Sequence, residues 1–304
     1  MFGVINIYKP KGLTSHDVVG IIRKILKIKQ VGHTGTLDPF AEGVLPICVG
    51  KATRLIDYFD DDKEYLATIQ FGSATDTYDL EGKVTATSDK KITETEIKSA
   101  LENFKGEISQ LPPIYSAIKV DGKKLYEYAR EGKPVQIEPR KVTIYNIELK
   151  NFNEKFQTAD ILVKCSKGTY IRSIAYDLGE TLGCFGHLTR LIRTQAGKFS
   201  IDNSIELPVT IDEQSNQEHS KKYSIQNDAE DIIIKSIKSP TEAISLPIRE
   251  VDKDEYERIL HGNFVKNTEK KINSGDFLIL VYNNHVVAVG QCEEDIIKVK
   301  KVLV

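Results

Sequence analysis

One stretch constrains the fold of this chain more than any other: Gly32-His33-Thr34-Gly35-Thr36-Leu37-Asp38-Pro39, followed closely by Gly43-Val44-Leu45. Gly32, Gly35 and Gly43 read as a loop whose backbone must turn sharply or come close to another group. Upstream, Thr14 with Asp17 three residues later has the pattern of a capping box. Val18, Ile21, Ile22, Ile25 and Leu26 then recur at helical spacing, which predicts a helix to about Lys27 that runs straight into the loop. Inside the loop sit one carboxylate, Asp38, one imidazole, His33, and the hydroxyls of Thr34 and Thr36. A lone carboxylate on a tight loop suits chemistry on a substrate carried to it. The same letters are also satisfied by a turn at Asp38-Pro39 that the glycines merely punctuate.

Beyond the loop the pattern alternates between strand and helix. Tyr65 to Phe71 reads as a strand, and Thr93 with Glu96 caps a helix that buries Ile97, Ala100, Leu101 and Phe104 before Gly106. Asp160 to Ser166 reads as a strand ending at the Lys167-Gly168 turn. A helix then begins near Arg172, buries Ile174, Ala175 and Leu178, and stops at Gly183, which puts Tyr170 and Arg172 at a strand-to-helix junction. Residues 208–246 break this rhythm. Asp212 to Glu218 is polar and acidic, as in a linker or exposed insertion, and Asp228 to Ile237 allows a short helix. Asp252 to Leu260 predicts a helix ended by Gly262. Asp276 to Tyr282 and Val286 to Gln291, joined at Asn283-Asn284, predict a hairpin in a small β-rich domain.

With 304 residues, the chain suits one large domain plus a small one. No run of 18 apolar residues is present, the start lacks the pattern of a secretory signal, and Cys48, Cys165, Cys184 and Cys292 are scattered. Reduced thiols in a cytoplasmic protein are therefore expected, with no membrane, zinc site or disulfide frame. The net charge of −2 argues against a nucleic-acid partner, but residues 1–56 carry +5 and residues 105–198 carry +6, against −5 over 201–250. Phosphate binding needs only such a local basic face; solvated lysines without a partner fit these counts equally well.

The loop, together with Asn6-Ile7-Tyr8-Lys9-Pro10-Lys11-Gly12-Leu13-Thr14-Ser15, resembles the TruB family of tRNA pseudouridine-55 synthases. Lys63-Glu64-Tyr65, Pro112-Pro113-Ile114-Tyr115-Ser116-Ala117-Ile118-Lys119 and Gly168-Thr169-Tyr170-Ile171-Arg172-Ser173 resemble that family in the expected order. The resemblance implies an α+β pseudouridine synthase fold over 1–207, with a mixed, mainly antiparallel central sheet and an RNA-gripping insertion at about 111–141. A linker or insertion over 208–246 and a PUA-like RNA-binding domain over 247–304 would follow. It further implies a stand-alone bacterial-type enzyme that isomerises uridine 55 in the T-loop of tRNA as a monomer, without guide RNA, cofactor, metal or obligatory protein partner. A guide-dependent synthase subunit and a tRNA-folding protein with secondary isomerase activity are the rival readings.

The family gives Asp38 the catalytic role, Arg172 the part of pairing with the catalytic carboxylate, Tyr65 a place against the target base and Tyr170 a place in the pocket. His33 would fill the RNA stack when the target nucleotide flips out, as an enzyme reworking a glycosidic bond requires. Leu191 would line the pocket, and Lys9 would contact RNA. Lys119, Lys123, Lys124 and Arg130, interleaved with Tyr115, Tyr126 and Tyr128, suit phosphates and unstacked bases. Whether Asp38 acts as nucleophile or base is left open by the sequence.

Overall fold

The computed structural model describes residues 2–211, 223–267 and 272–304. The acidic run Asp212 to Glu218 lies outside the described residues. The fold is mixed α/β, with a large mixed sheet and a C-terminal β domain. By contacts the chain divides into two compact units, Met1–Pro39 with Gly43–Asp60 and Ala196–Val304, and Phe40–Glu42 with Asp61–Gln195.

In the first unit, strand Gly3–Lys9 lies between Ile205–Glu206, parallel to it, and Glu42–Val49, antiparallel. The short strand Val31–His33 pairs antiparallel with Glu42–Val49 along its other edge. The expected first helix is Ser15–Leu26, and Thr14 and Asp17 form the reciprocal capping box. Its buried face is the one the apolar spacing marked, from Val18 to Leu26. Farther on, the short helix is Ala229–Lys235, and Lys253–Leu260 is capped by Asp252.

The hairpin strands Phe277–Tyr282 and His285–Glu293 belong to a five-stranded sheet that also contains Ile248–Glu250, Ile296–Val302 and Val265–Lys266. Asn283 and Asn284 both have positive φ, 48° and 62°, as a two-residue hairpin turn demands. Alternate residues of Phe277–Tyr282 face different clusters: Ile279 and Val281 pack with Val4, Val44, Cys48 and Leu55, while Leu278 and Leu280 pack with Ile259, Val287 and Ile297. The C-terminal sheet thus shares a core with the N-terminal strands. That is why residues after 246 cluster with 1–39 and 43–60 rather than by themselves.

The second unit holds the strand order Gly186–Ala196, Lys63–Phe71, Thr158–Cys165, Arg140–Asn153, Gly106–Gln110. The pairs Lys63–Phe71 with Thr158–Cys165 and Arg140–Asn153 with both its neighbours are antiparallel. Helix Glu94–Leu101 starts at the expected box of Thr93 and Glu96, and helix Ile171–Leu182 ends at Gly183 in the left-handed region. Among the described residues, no helix is long and apolar enough to cross a membrane.

Candidate active site

The loop residues belong to the first unit. Gly32 and His33, expected in the loop, are strand residues in register with Cys48 and Ile47, Thr34 N donates to Pro46 O at 3.1 Å, and Gly43 lies in strand Glu42–Val49, so the loop proper lies between them. A Cβ on Gly32 would lie 3.1 Å from Ile56 Cδ1, a close approach that favours glycine there. His33 is half-buried, and its ring meets that of exposed His16 edge-on, with centroids 5.6 Å apart.

Asp38 is half-buried between two tethered neighbours. On one side, Ser15 Oγ donates to Leu37 O at 3.1 Å and accepts from Leu37 N at 2.8 Å, while the Leu37 side chain is buried. On the other, Pro39 O accepts from Gly12 N at 2.7 Å and from Lys9 Nζ at 3.3 Å. The same ammonium donates to Leu13 O at 2.7 Å and Pro10 O at 3.0 Å. The segment from Lys9 to Ser15 is therefore the support of the loop. Lys9 was expected to contact RNA, but its side chain has no exposed surface and its ammonium donates to carbonyls of the loop and its support.

The second unit carries Tyr65, Tyr170, Arg172 and Leu191. Tyr65, 7% exposed, stands on Lys63–Phe71 opposite Val163, and Leu191 is buried on Gly186–Ala196. At the head of the same strand as Tyr65, the Lys63 ammonium is pulled below its usual range, first by burial and then by the Arg193 charge. Tyr170 directly precedes helix Ile171–Leu182, so the junction expected from sequence exists.

Arg172 is 5% exposed, and its guanidinium ties three chain segments together. Nη1 donates to Thr77 O at 3.1 Å and to Asp79 Oδ2 at 3.3 Å, and Nη2 donates to Tyr115 O at 3.0 Å. Asp79, equally buried, accepts at Oδ1 from Thr77 Oγ1 at 2.6 Å and from Glu81 N at 3.0 Å. A planar fork of donors is the group suited to such multidirectional anchoring, and a lysine could not replace it. Sequence reasoning missed Asp79. A usable signal was Asp76-Thr77-Tyr78-Asp79 with Gly82, a run of turn-forming polar residues. At Gly82 a Cβ would lie 2.3 Å from Thr77 Oγ1, so the turn that presents Asp79 excludes a side chain there.

The basic segment forms a small hairpin and a helix. Lys119–Val120 pairs with Lys123–Lys124 across the Asp121-Gly122 turn, and helix Leu125–Arg130 follows. Lys123 Nζ lies 4.9 Å from the Tyr128 ring centroid, and Lys124 Nζ and the Arg130 guanidinium lie 5.3 and 5.4 Å from that of Tyr126. The interleaving of cations and aromatics seen in sequence is thus a set of direct cation–ring contacts. Lys119 and Arg130 are exposed, and Lys123 also pairs with Glu131.

Burial pushes the thiols of Cys48 and Cys165 up to about 12 and about 11, so both stay protonated at neutral pH and are poor nucleophiles. Among the described residues no group of three or more His, Cys, Asp or Glu could hold a metal ion. The arrangement as a whole offers a held carboxylate in one unit, and in the other a buried arginine, two tyrosines near strand and helix starts, and a cationic aromatic hairpin.

Comparison with known proteins gives the family. A family model described as TruB family pseudouridylate synthase (N terminal domain) matches residues 23–171, and one described as tRNA pseudouridylate synthase B C-terminal domain matches 172–235. The tRNA pseudouridine synthase B of Clostridium tetani is 44% identical over 310 residues, covering 100% of both chains. That of Caldanaerobacter subterraneus subsp. tengcongensis is 43% identical and covers 95% of this chain and 93% of its own. Among solved structures, a chain from a Cbf5-Nop10-Gar1 complex superposes with a TM-score of 0.72 at 27% identity, covering 100% of this chain and 85% of that one. A chain from an H/ACA RNP bound to a substrate RNA containing 2′-deoxyuridine gives a TM-score of 0.72 at 25% identity, covering 100% of this chain and 85% of that one. With near half of its residues shared along its whole length with such relatives, the chain belongs to the TruB family of tRNA pseudouridine synthases, enzymes that isomerise uridine in tRNA.

Proposed function

We propose that this enzyme converts uridine 55 in the T-loop of tRNA to pseudouridine, without a guide RNA, with Asp38 as the catalytic carboxylate. The observation that carries the assignment of Asp38 is its double tether. Leu37 and Pro39 are both held by the segment from Lys9 to Ser15, so the carboxylate between them is presented on a fixed backbone. The reaction breaks N1–C1′, turns the free uracil and joins C1′ to C5. The C5 proton leaves and N1 gains one, so no redox partner or outside group is required. Asp38 either attacks covalently or removes a proton, and both routes need it ionised and aimed.

By the family resemblance Arg172 is the partner assigned to the catalytic carboxylate; within its own unit its guanidinium is fixed by Asp79. Tyr65 lies against the target base, and Tyr170 and Leu191 complete the walls that retain the detached uracil. His33, supported by His16, fills the stack left by the flipped nucleotide. Lys119, Lys123, Lys124 and Arg130 grip the T-arm through phosphates, and the C-terminal sheet adds a PUA-like RNA contact. Lys9 is left out of the RNA surface because it is spent inside the loop support.

A guide-dependent role is the second reading, favoured by the likeness to chains of an H/ACA RNP and of a Cbf5-Nop10-Gar1 complex. The full-length match to relatives named tRNA pseudouridine synthase B weighs against it. Purified protein incubated with an unmodified tRNA transcript decides between them: pseudouridine mapped at position 55 is expected, and none without added protein or guide RNA would overturn the proposal. Asp38→Asn is expected to abolish product while leaving tRNA binding within about twofold, since phosphate contacts lie elsewhere.

A further inference from the structure

Gln110 ends strand Gly106–Gln110 and is 2% exposed. Its amide closes both backbone groups of one residue: Oε1 accepts from Tyr170 N at 2.7 Å, and Nε2 donates to Tyr170 O at 3.0 Å. Tyr170 occupies the N-cap position of helix Ile171–Leu182, with φ −98° and ψ 107°, and its own side chain makes no cap hydrogen bond. The direction in which the chain enters that helix is therefore set by a glutamine sixty residues away. Ser173 Oγ donates to Leu111 O at 2.8 Å, and Arg172 Nη2 donates to Tyr115 O. Three side chains thus sew the start of the basic segment to the start of this helix.

We propose that Gln110 is a positioning residue for pseudouridine formation. It holds Tyr170, and through the helix entry Arg172, at the angle that turnover needs, and Ser173 extends the same latch to the segment that grips RNA. The inference rests on the reading of Tyr170 and Arg172 as site residues. A primary amide presents an acceptor and a donor in one plane, matching the two backbone groups it meets. An ionised carboxylate keeps the acceptor, loses the donor and faces the Tyr170 carbonyl with a negative charge. A protonated carboxyl restores the donor, and burial favours that form as pH falls.

The test is single-turnover and steady-state modification of tRNA by the full-length protein and its variants. Gln110→Ala is expected to lower kcat about tenfold with KM within about twofold, the signature of misorientation. Gln110→Glu should match that loss at pH 8 and regain at least about fivefold relative to wild type at pH 6 as its carboxyl protonates. Ser173→Ala should instead raise KM about fivefold, and Ser173→Thr should restore it, because the hydroxyl rather than the size is used.

Wild-type kcat in a folded Gln110→Ala protein would overturn the inference. So would a Gln110→Glu profile parallel to that of wild type. If Gln110→Ala does not fold, the Gln110→Glu profile decides; if neither folds at either pH, Gln110 is a requirement of the fold and the positioning role is refuted. Failure of the wild-type protein to modify tRNA would refute the proposed function itself, whereas normal wild-type activity with indifferent Gln110 variants would refute the positioning role alone.

Discussion

Deleting everything after Leu246 removes all five strands of the C-terminal sheet, and the structure gives the cost. Ile279, Val281, Val286, Val289 and Leu303 are buried in one cluster with Val4, Val44, Cys48, Ala52 and Leu55. Full burial of a large apolar side chain contributes roughly 1.5–3 kcal/mol, so these five contribute on the order of 7–15 kcal/mol. That equals the entire net stability of a typical domain, about 5–15 kcal/mol. The truncated chain should therefore fail to complete the first unit, including strand Gly3–Lys9 and the support of the Asp38 loop. The assay is urea unfolding with near-ultraviolet circular dichroism, followed by modification of both full tRNA and a short T-arm stem-loop. The expected result is loss of a cooperative transition and loss of product on both substrates. The milder Leu303→Ala change should cost about 2–5 kcal/mol while leaving a measurable fold. A truncated protein that unfolds cooperatively and modifies the stem-loop at the wild-type rate would refute the shared-core argument and make the C-terminal sheet a separable module.

Further outcomes follow from the same geometry. Asp79→Ala removes a buried counter-charge of Arg172 and should cost about 3 kcal/mol of stability, read by thermal unfolding, with turnover falling at least about tenfold; wild-type values in both would sink the proposed role of Asp79. Asp177 is pushed up to about 6, by burial first and by Glu180 second, so the folded state binds more protons than the unfolded chain between about pH 4 and pH 6. Its stabilising share is full below that window and lost as pH rises through it; Asp177→Asn should therefore raise the melting temperature relative to wild type above pH 6 and leave the two alike near pH 4. Neutralising Lys119, Lys123 and Lys124 together should weaken tRNA binding and flatten its dependence on salt, and an unchanged slope would make the segment ordinary solvated surface.

What the sequence made legible was what depends on near neighbours. Thr14 with Asp17 and Thr93 with Glu96 are three residues apart, and both boxes formed, because a capping box needs no information from the rest of the chain. The Asn283-Asn284 turn and Gly183 stop are local in the same way. Asp79 and Gln110 were not legible, since each acquires its role from a partner on the helix start at Tyr170 and Arg172, reached only after the strands have paired. Lys9 marks the opposite failure. A lysine in an RNA-modifying chain invites a phosphate, but the Leu13 and Pro39 carbonyls within reach accept from its ammonium and turn the charge inward. The grouping of the C-terminal strands with the N-terminal ones has a related reason. Phe277 to Tyr282 is apolar at nearly every position, which means a strand covered on both faces. A free-standing module of about 55 residues could cover one face with its own helix, but the second face needed Val4 and Leu55 from the other end of the chain. The functional loop and the C-terminal sheet are therefore linked through one core, and selection acting on either must preserve the packing of both.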